Sequence, residues 1–399
     1  MKIGIIKEGK VPVDHRVPLT PAQAREVMDR FSVEVKVQRS DVRIFRDSEY
    51  EALGIEVVDE VDDCEVLMGV KEVPIDDLIP DKTYFFFSHT IKEQPYNRDL
   101  LRAIVKNNIQ LIDYEPLTDT DGNRVVAFGR WAGIVGAYNA LWTYGKRYKL
   151  FNLPRAHELY DLNELKQTVD SIELPYVKMA VTGGGRVAKG AMEVLLSANI
   201  HKVTPAELLE EEFDKPVFAQ LNTRDYNKSL DGSKFNRSEF YESPSRYTSD
   251  FLKYAHKSDL LVACAFWDPA APVLFKKEDI MDPHFKIRVI ADVTCDIEGS
   301  IPSTKKASTI DDPVYDYNPS EDILEVPFTD EANLTVMAVD NLPCELPRDA
   351  SESFGRELID KVLPALIGED TEGIIERATI TKNGELTQTF SYLKDYLEG

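Results

Sequence analysis

An α/β architecture of two domains, each built on a parallel sheet, is the fold class this sequence predicts, and three observations carry the prediction. A chain of 399 residues is too long for one ordinary core and divides naturally into two. Short apolar runs alternate with stretches of helical period along most of the chain, as strands joined by crossover helices do. One stretch, Tyr176 to Ala198, reads YVKMAVTGGGRVAKGAMEVLLSA, a strand, a glycine turn and a helix without interruption.

In that stretch Val177, Met179 and Val181 alternate as on a strand, while Val187, Ala191, Val194, Leu195 and Ala198 recur at helical spacing. Gly183, Gly185 and Ala188 fall at the G-x-G-x-x-G/A spacing, whose small residues permit a tight turn and close backbone approach to a pyrophosphate. The helix that follows offers unpaired N–H groups and a partial positive charge to an anion. A plain strand–helix connection is the alternative. The flanking strand and helix favour the phosphate, so the second domain is expected to be Rossmann-like, with Gly183, Gly185, Arg186 and Val187 against a dinucleotide. The acidic residue expected about twenty positions on, to accept ribose hydroxyls, is missing. Ile200 to Pro205 offers only Thr204 as a weak ribose partner, and Glu207 starts the next helix. No arginine there supplies a fork for a 2'-phosphate, which points to NAD over NADP.

A formal net charge of −23 argues against a nucleic-acid surface and for solubility through self-repulsion. Cys64, Cys264, Cys295 and Cys344 form no C-x-x-C, so neither a metal knuckle nor a redox pair is expected. MKIGIIKEGK reads as a strand and not a signal peptide, and no apolar run approaches a membrane span. The expected setting is cytoplasmic and reducing, with no membrane partner.

In chain order, Lys2 to Lys7 is a strand, and Thr20 caps a helix whose first-turn proline is Pro21. The loop between them carries Lys7, Glu8, Lys10, Asp14, His15 and Arg16, a solvated surface or the lip of a site, the surface being the commoner case. Strands follow at Val33 to Val37, Glu65 to Val70, Tyr84 to Phe87 and Ile109 to Ile112, with a helix over Gln94 to Val105. Lys71, His89 and Glu115 fall just beyond strand ends, where ligands of parallel sheets bind. A long helix from Ala132 to about Tyr148, with small residues Gly133, Gly136, Ala137 and Ala140, suits close packing between domains. Beyond the glycine turn, strands are expected at Val217 to Leu221, Leu260 to Ala265, Arg288 to Asp292 and Leu334 to Val339. Asn222 to Asp250 is a polar, aromatic excursion too long for an ordinary loop, read as an insertion over a lid or a partner surface. Ala350 to Leu366 is an amphipathic helix that returns to the first domain. The domains are therefore expected to be 1–134 plus 345–399, for substrate, and 135–344, for dinucleotide, with a cleft between them.

Taken singly, a histidine or a lysine after a strand is more often solvated or structural than catalytic. Several segments in one order are more specific. KEGKVPVDHRVPLTP, GVKEVP, FFFSHTIKEQ, DYEPLTDTDGNRVVAFGRWAGIVGA, GGGRVAKGA, ADVTCDIEGSIP and VDNLPCELPRDAS together resemble the alanine dehydrogenase and lysine-forming saccharopine dehydrogenase superfamily, almost end to end. DYE…GNRVVAFGRWAG and VDNLPCELPRDAS look more like the saccharopine branch. The resemblance implies an NAD-dependent dehydrogenase converting saccharopine, NAD and water reversibly to lysine, 2-oxoglutarate and NADH. An alanine-type or other amino-acid dehydrogenase, and a non-catalytic or transhydrogenase-like module, are the alternatives. It further implies that Lys71 and His89 form the acid–base pair and that Arg16 and Arg124 bind substrate carboxylates. Lys92 and Glu115 would line the same cleft, and Asp340 would lie near the nicotinamide. The partners implied are small amino and 2-oxo acids.

Overall fold

The computed structural model describes all 399 residues. They form two compact units, Met1–Phe128 with Pro347–Gly399, and Gly129–Leu346. The divisions fall a few residues from the expected 134/135 and 344/345. The reason is the long helix: it begins at Gly129 and goes whole with the second unit.

In the first unit, strands β1 (Lys2–Ile5), β2 (Glu34–Gln38), β3 (Glu56–Val58), β4 (Val66–Met68), β5 (Thr83–Phe86) and β6 (Gln110–Asp113) lie parallel. Helix α1 (Pro21–Phe31) starts at a capping box, with Thr20 and Gln23 each accepting the other's backbone N–H. Two further helices, α2 (Asp47–Glu51) and α3 (Arg98–Lys106), complete the connections. Side chains alternate across the sheet. Phe85 and Ile112 join the core with Leu19, Val27 and Phe354 on one face, while Tyr84, Phe86 and Leu111 join Leu100, Ile104 and Leu393 on the other.

The second unit begins with α4 (Gly129–Tyr148) and α5 (Leu162–Asp170), then β7 (Lys178–Thr182), α6 (Arg186–Ser197), β8 (His201–Val203), α7 (Pro205–Glu210) and β9 (Val217–Leu221). The excursion is ordered. It contains α8 (Thr223–Tyr226), an antiparallel pair β10 (Asn227–Ser229) and β11 (Tyr247–Ser249), and α9 (Arg237–Glu242), around the tilted and edge-to-face rings of Phe235, Phe240 and Tyr247. Next come α10 (Leu252–Ala255), β12 (Leu260–Ala263), α11 (Lys277–Ile280), β13 (Val289–Asp292), β14 (Val314–Asn318), β15 (Ile323–Glu325) and β16 (Leu334–Met337). The sheet runs β15-β14-β16-β13-β12-β7-β9-β8, so β9, and not β8, is the neighbour of the glycine-turn strand. The glycines of α4 serve a contact inside this unit. A Cβ on Gly133 would stand 1.8 Å from the Val187 carbonyl oxygen, and one on Gly190 2.0 Å from that of Arg130, so α4 and α6 touch backbone to backbone.

The chain then returns to the first unit through α12 (Pro347–Glu357). The expected unbroken helix is interrupted by a π turn at Leu358–Val362, just ahead of Pro364, whose missing N–H cannot continue the ladder. Strands β17 (Thr379–Lys382) and β18 (Glu385–Leu386) close the sheet, β17 pairing antiparallel with β6. The fold is the expected α/β one, with two sheets parallel at their centres. The antiparallel edges, β17–β18 and β14–β15, are additions to the expected pattern. No helix is long and apolar enough to cross a membrane.

Candidate functional site

The carboxyl ends of β1, β4, β5 and β6, four adjacent strands, gather most of the polar residues singled out in the first unit. The loop after β1 supplies Glu8, Lys10, Asp14 and Arg16. Glu8 accepts the backbone N–H of Val70 at 2.6 Å and of Lys71 at 2.9 Å, tying that loop to the end of β4. Burial, and then the Asp14 carboxylate, push the Glu8 carboxyl up to about 8. Arg16 is no surface residue: it is 2% exposed, its Nε donates to Asp14 Oδ1 at 2.9 Å, and its guanidinium lies 4.1 Å over the Phe128 ring. At Arg16 the loop is therefore no solvated surface, and a buried arginine is possible because Asp14 neutralises it and the ring covers one face.

Lys71 follows β4 in this cluster. Its pKa is lowered first by burial, which penalises the ammonium, and then by the positive charge of Arg16. Glu72, the next residue, accepts from His89 Nδ1 at 2.6 Å and from Lys10 Nζ at 2.7 Å. Burial works against its ionisation, yet those hydrogen bonds from His89 and Lys10 win and hold its carboxyl down to about 2. A carboxylate can only accept, so Nδ1 of His89 carries the proton and Nε2 is left for other chemistry. His89 sits at φ 52°, in the left-handed region, at a cost of about 1–2 kcal/mol for a non-glycine residue. Behind it Asp113 accepts the N–H groups of Ser88 at 2.8 Å and Glu115 at 2.7 Å, which fixes the ends of β5 and β6. Lys92 and Arg124 approach Glu115 at 3.6 and 4.0 Å. Phe87 stacks against the His89 ring and packs on Phe128.

Glu72 was not singled out from sequence, although it adjoins Lys71 in GVKEVP, and a carboxylate next to a proposed acid–base lysine was the available signal. Glu8 was named only among the charged residues of the loop after the first strand.

In the second unit Gly183 has φ +99°, and a Cβ there would press on the Cys264 carbonyl at 3.1 Å and the Ala265 Cα at 3.2 Å, so glycine is required. Gly185 caps α6, and a Cβ on it would meet nothing within 4 Å: the approach to the helix N-terminus is open. Arg186 and Val187 form its first turn. These residues fit a pyrophosphate. Thr204 does not join them. It ends the outer strand β8, where its hydroxyl accepts the Glu207 N–H at 3.2 Å as the cap of α7, and β9 lies between it and β7. The residue beyond the adjoining strand is Asn222, whose Oδ1 lies 2.9 Å from the Cβ position of Gly184. Sequence reasoning assumed that the second strand in order is also second in space. Asp340 stands exposed beyond β16, along the same carboxyl edge of the sheet and three strands from β7.

Fold and site together define a two-unit α/β protein with a glycine turn at an open helix N-terminus and, separately, a cluster of buried charged side chains at neighbouring strand ends. Comparison with known proteins narrows the class. Residues 4–135 match the family model described as alanine dehydrogenase/PNT, N-terminal domain. The mitochondrial alpha-aminoadipic semialdehyde synthase of Mus musculus is 29% identical over 96% of this chain and 46% of its own length, so the chain spans less than half of that relative. The saccharopine dehydrogenase [NAD(+), L-lysine-forming] of Schizosaccharomyces pombe is 28% identical over 88% of this chain and 90% of that one. A solved L-alanine dehydrogenase superposes with a TM-score of 0.63 at 17% identity, covering 99% of this chain and all of that one, which shows a shared fold. The sequence resemblance to saccharopine dehydrogenase thus runs along most of the chain, and that to the alanine dehydrogenase/PNT family model along residues 4–135.

Proposed function

We propose that this chain is an NAD-dependent dehydrogenase of the saccharopine type, which converts saccharopine, NAD+ and water to lysine, 2-oxoglutarate, NADH and a proton, and back. The observation that carries the reading is the pairing of a lysine with a lowered pKa, Lys71, and a carboxylate-anchored histidine, His89, at neighbouring strand ends beside a buried arginine. The names of the matched relatives support the substrate and cofactor. NAD, when bound, takes the hydride from the amine-bearing carbon. Gly183, Gly185, Arg186 and Val187 would hold its pyrophosphate, and Asp340 would stand on the side of the nicotinamide.

Arg16 binds a substrate carboxylate by forked hydrogen bonds, and Arg124 with Lys92 offers positive charge to another. Neutral Lys71 takes a proton from the secondary ammonium, freeing the nitrogen lone pair to form the C=N bond of an iminium as the carbon loses hydride. A water then adds to the iminium carbon while His89 Nε2 removes its proton, Lys71 returns its proton to the carbinolamine nitrogen, and the C–N bond breaks as Lys71 takes the hydroxyl proton, leaving the ketone of 2-oxoglutarate and the amine of lysine. Glu72 keeps His89 in the tautomer this needs. Glu8 holds the Lys71 backbone in place. None of the four cysteines forms a disulfide, which suits the reducing, cytoplasmic setting proposed.

The test follows NADH absorbance with purified protein and 2-oxoglutarate plus lysine, beside pyruvate plus ammonia and single-substrate controls. Loss of NADH only with lysine and 2-oxoglutarate together is the expected result. Loss with pyruvate and ammonia would move the chain to an alanine-type activity.

A further inference from the structure

The amino edge of the second unit's sheet, at the opposite ends of the strands from the glycine turn, gathers positive charge in a chain whose net charge is −23. Strands β13, β12, β7 and β9 are neighbours in that order, and a lysine stands at or just before the start of each. Lys286 is three residues ahead of β13, Lys257 three ahead of β12, Lys178 the first of β7 and Lys215 two ahead of β9. All four line one surface recess. At an interstrand spacing of about 4.8 Å the row spans roughly 14 Å.

A basic side chain at such an edge commonly serves the carbonyl groups that end a neighbouring helix. Lys178 does so, donating from Nζ to the Leu208 and Glu211 carbonyls at the end of α7. The two carboxylates of the recess are also engaged with Lys178: Asp259 accepts its backbone N–H at 2.9 Å, and Glu212 lies 3.8 Å from its Nζ. Lys215, Lys257 and Lys286 are different. They are exposed, and no carboxylate stands within 4 Å of any of them. Beside them Tyr176, 75% exposed, and Phe213 give the recess an aromatic wall, and a low-dielectric wall strengthens the field of like charges. We propose that this edge is a second anion site, at which Lys215, Lys257 and Lys286 hold a compact small-molecule polyanion, carrying phosphate or carboxylate groups, with Lys178 as the fixed floor. The five residues of β7 separate it from the glycine turn, so the two sites fill independently.

Calorimetric titration of the full chain with tripolyphosphate, and separately with citrate, at low and physiological salt tests this. The proteins are wild type, the triple variant Lys215→Gln, Lys257→Gln, Lys286→Gln, and a control that removes the same charge from exposed positions of the first unit, Lys106→Gln, Lys361→Gln, Lys382→Gln. Circular dichroism checks folding. Wild type and control should bind one equivalent of one or both anions, more weakly with added salt, and the triple variant should lose about tenfold or more. Tighter tripolyphosphate identifies a phosphate ligand and tighter citrate a carboxylate one. Binding of neither anion by wild type would overturn the proposal, as would wild-type affinity in the triple variant or an equal loss in the control. NADH titrated into the same proteins reads the other edge of the sheet: triple-variant affinity equal to wild type is expected, and a tenfold loss would overturn the separation of the sites. Absence of NADH binding by wild type would count against the dinucleotide reading alone.

Discussion

Replacing Gly133 with alanine should damage both the stability of the second unit and its hold on the cofactor. The added Cβ would stand 1.8 Å from the Val187 carbonyl oxygen and 2.8 Å from the Ala191 backbone nitrogen, which is short of ordinary contact by roughly 1.5 Å. Both obstacles are backbone atoms of α6. Neither can rotate aside, so the two helices must part or bend. Overpacking in a tight core costs about 1–3 kcal/mol, and an unyielding neighbour places this substitution near ~3 kcal/mol. For a unit of this size that is a fall in Tm of roughly 6–12 °C. Val187 belongs to the first turn of α6, so the displacement reaches the N–H groups proposed to hold the pyrophosphate, and NADH affinity should fall about tenfold. Gly136→Ala is the internal control, because its Cβ would meet only side-chain atoms of Val293 and Leu342, which can shift, and should cost nearer ~1 kcal/mol. Thermal unfolding with and without NADH, with titration calorimetry, reads both effects. A Gly133→Ala protein that melts within 2 °C of wild type (about 0.5 kcal/mol) and binds NADH normally would refute the argument.

Lys71→Met should lower turnover by about 10²- to 10⁴-fold with NADH binding intact, the range for loss of a general acid–base group; unchanged turnover would remove Lys71 from the mechanism. In amine oxidation Lys71 must be neutral, so activity should fall as pH drops through its pKa, and burial followed by Arg16 sets that limb below the usual lysine range. Arg16→Met deletes a positive neighbour and should move the limb to higher pH, whereas Arg16→Lys keeps the charge, should leave the limb in place and should raise KM for the substrate about tenfold through the lost fork. Glu72→Gln replaces the carboxylate that accepts from His89 Nδ1 and should lower kcat about tenfold with NADH binding unchanged, through loss of the fixed tautomer; an unchanged kcat would remove Glu72 from the positioning of His89.

How far the sequence reached depended on whether the controlling interaction was local. Thr20, Pro21 and Gln23 specify the start of α1 among themselves, and Val217 to Leu221 is a strand with the boundaries its apolar run suggests. The glycine turn was legible for the same reason. β17 was not: three of its four residues, Thr379–Lys382, are polar, and pairing with β6 and β18 makes them a strand. Thr204 failed at the next level up. Its local setting was read correctly as a strand end before a helix, but spatial strand order is a tertiary property that alternation of apolar residues does not encode. Arg16 shows the converse, a residue whose charged neighbours suggested solvent although Asp14 and Phe128 enclose it. Its segment, matched to a family, carried more than its composition did.

The division of the first unit between residues 1–128 and 347–399 has a consequence for synthesis. The second unit is contiguous and has every partner it needs once residue 346 has left the ribosome. The first must wait, with β6 presenting a row of unpaired N–H and C=O groups until β17 arrives more than 260 residues later. Its aromatic core waits too, because Phe354 on α12 fills the space among Phe87, Tyr114 and Phe128. A nascent chain stalled within the second unit would carry an open sheet edge and an unfilled apolar cavity at its head, and both invite association with other chains.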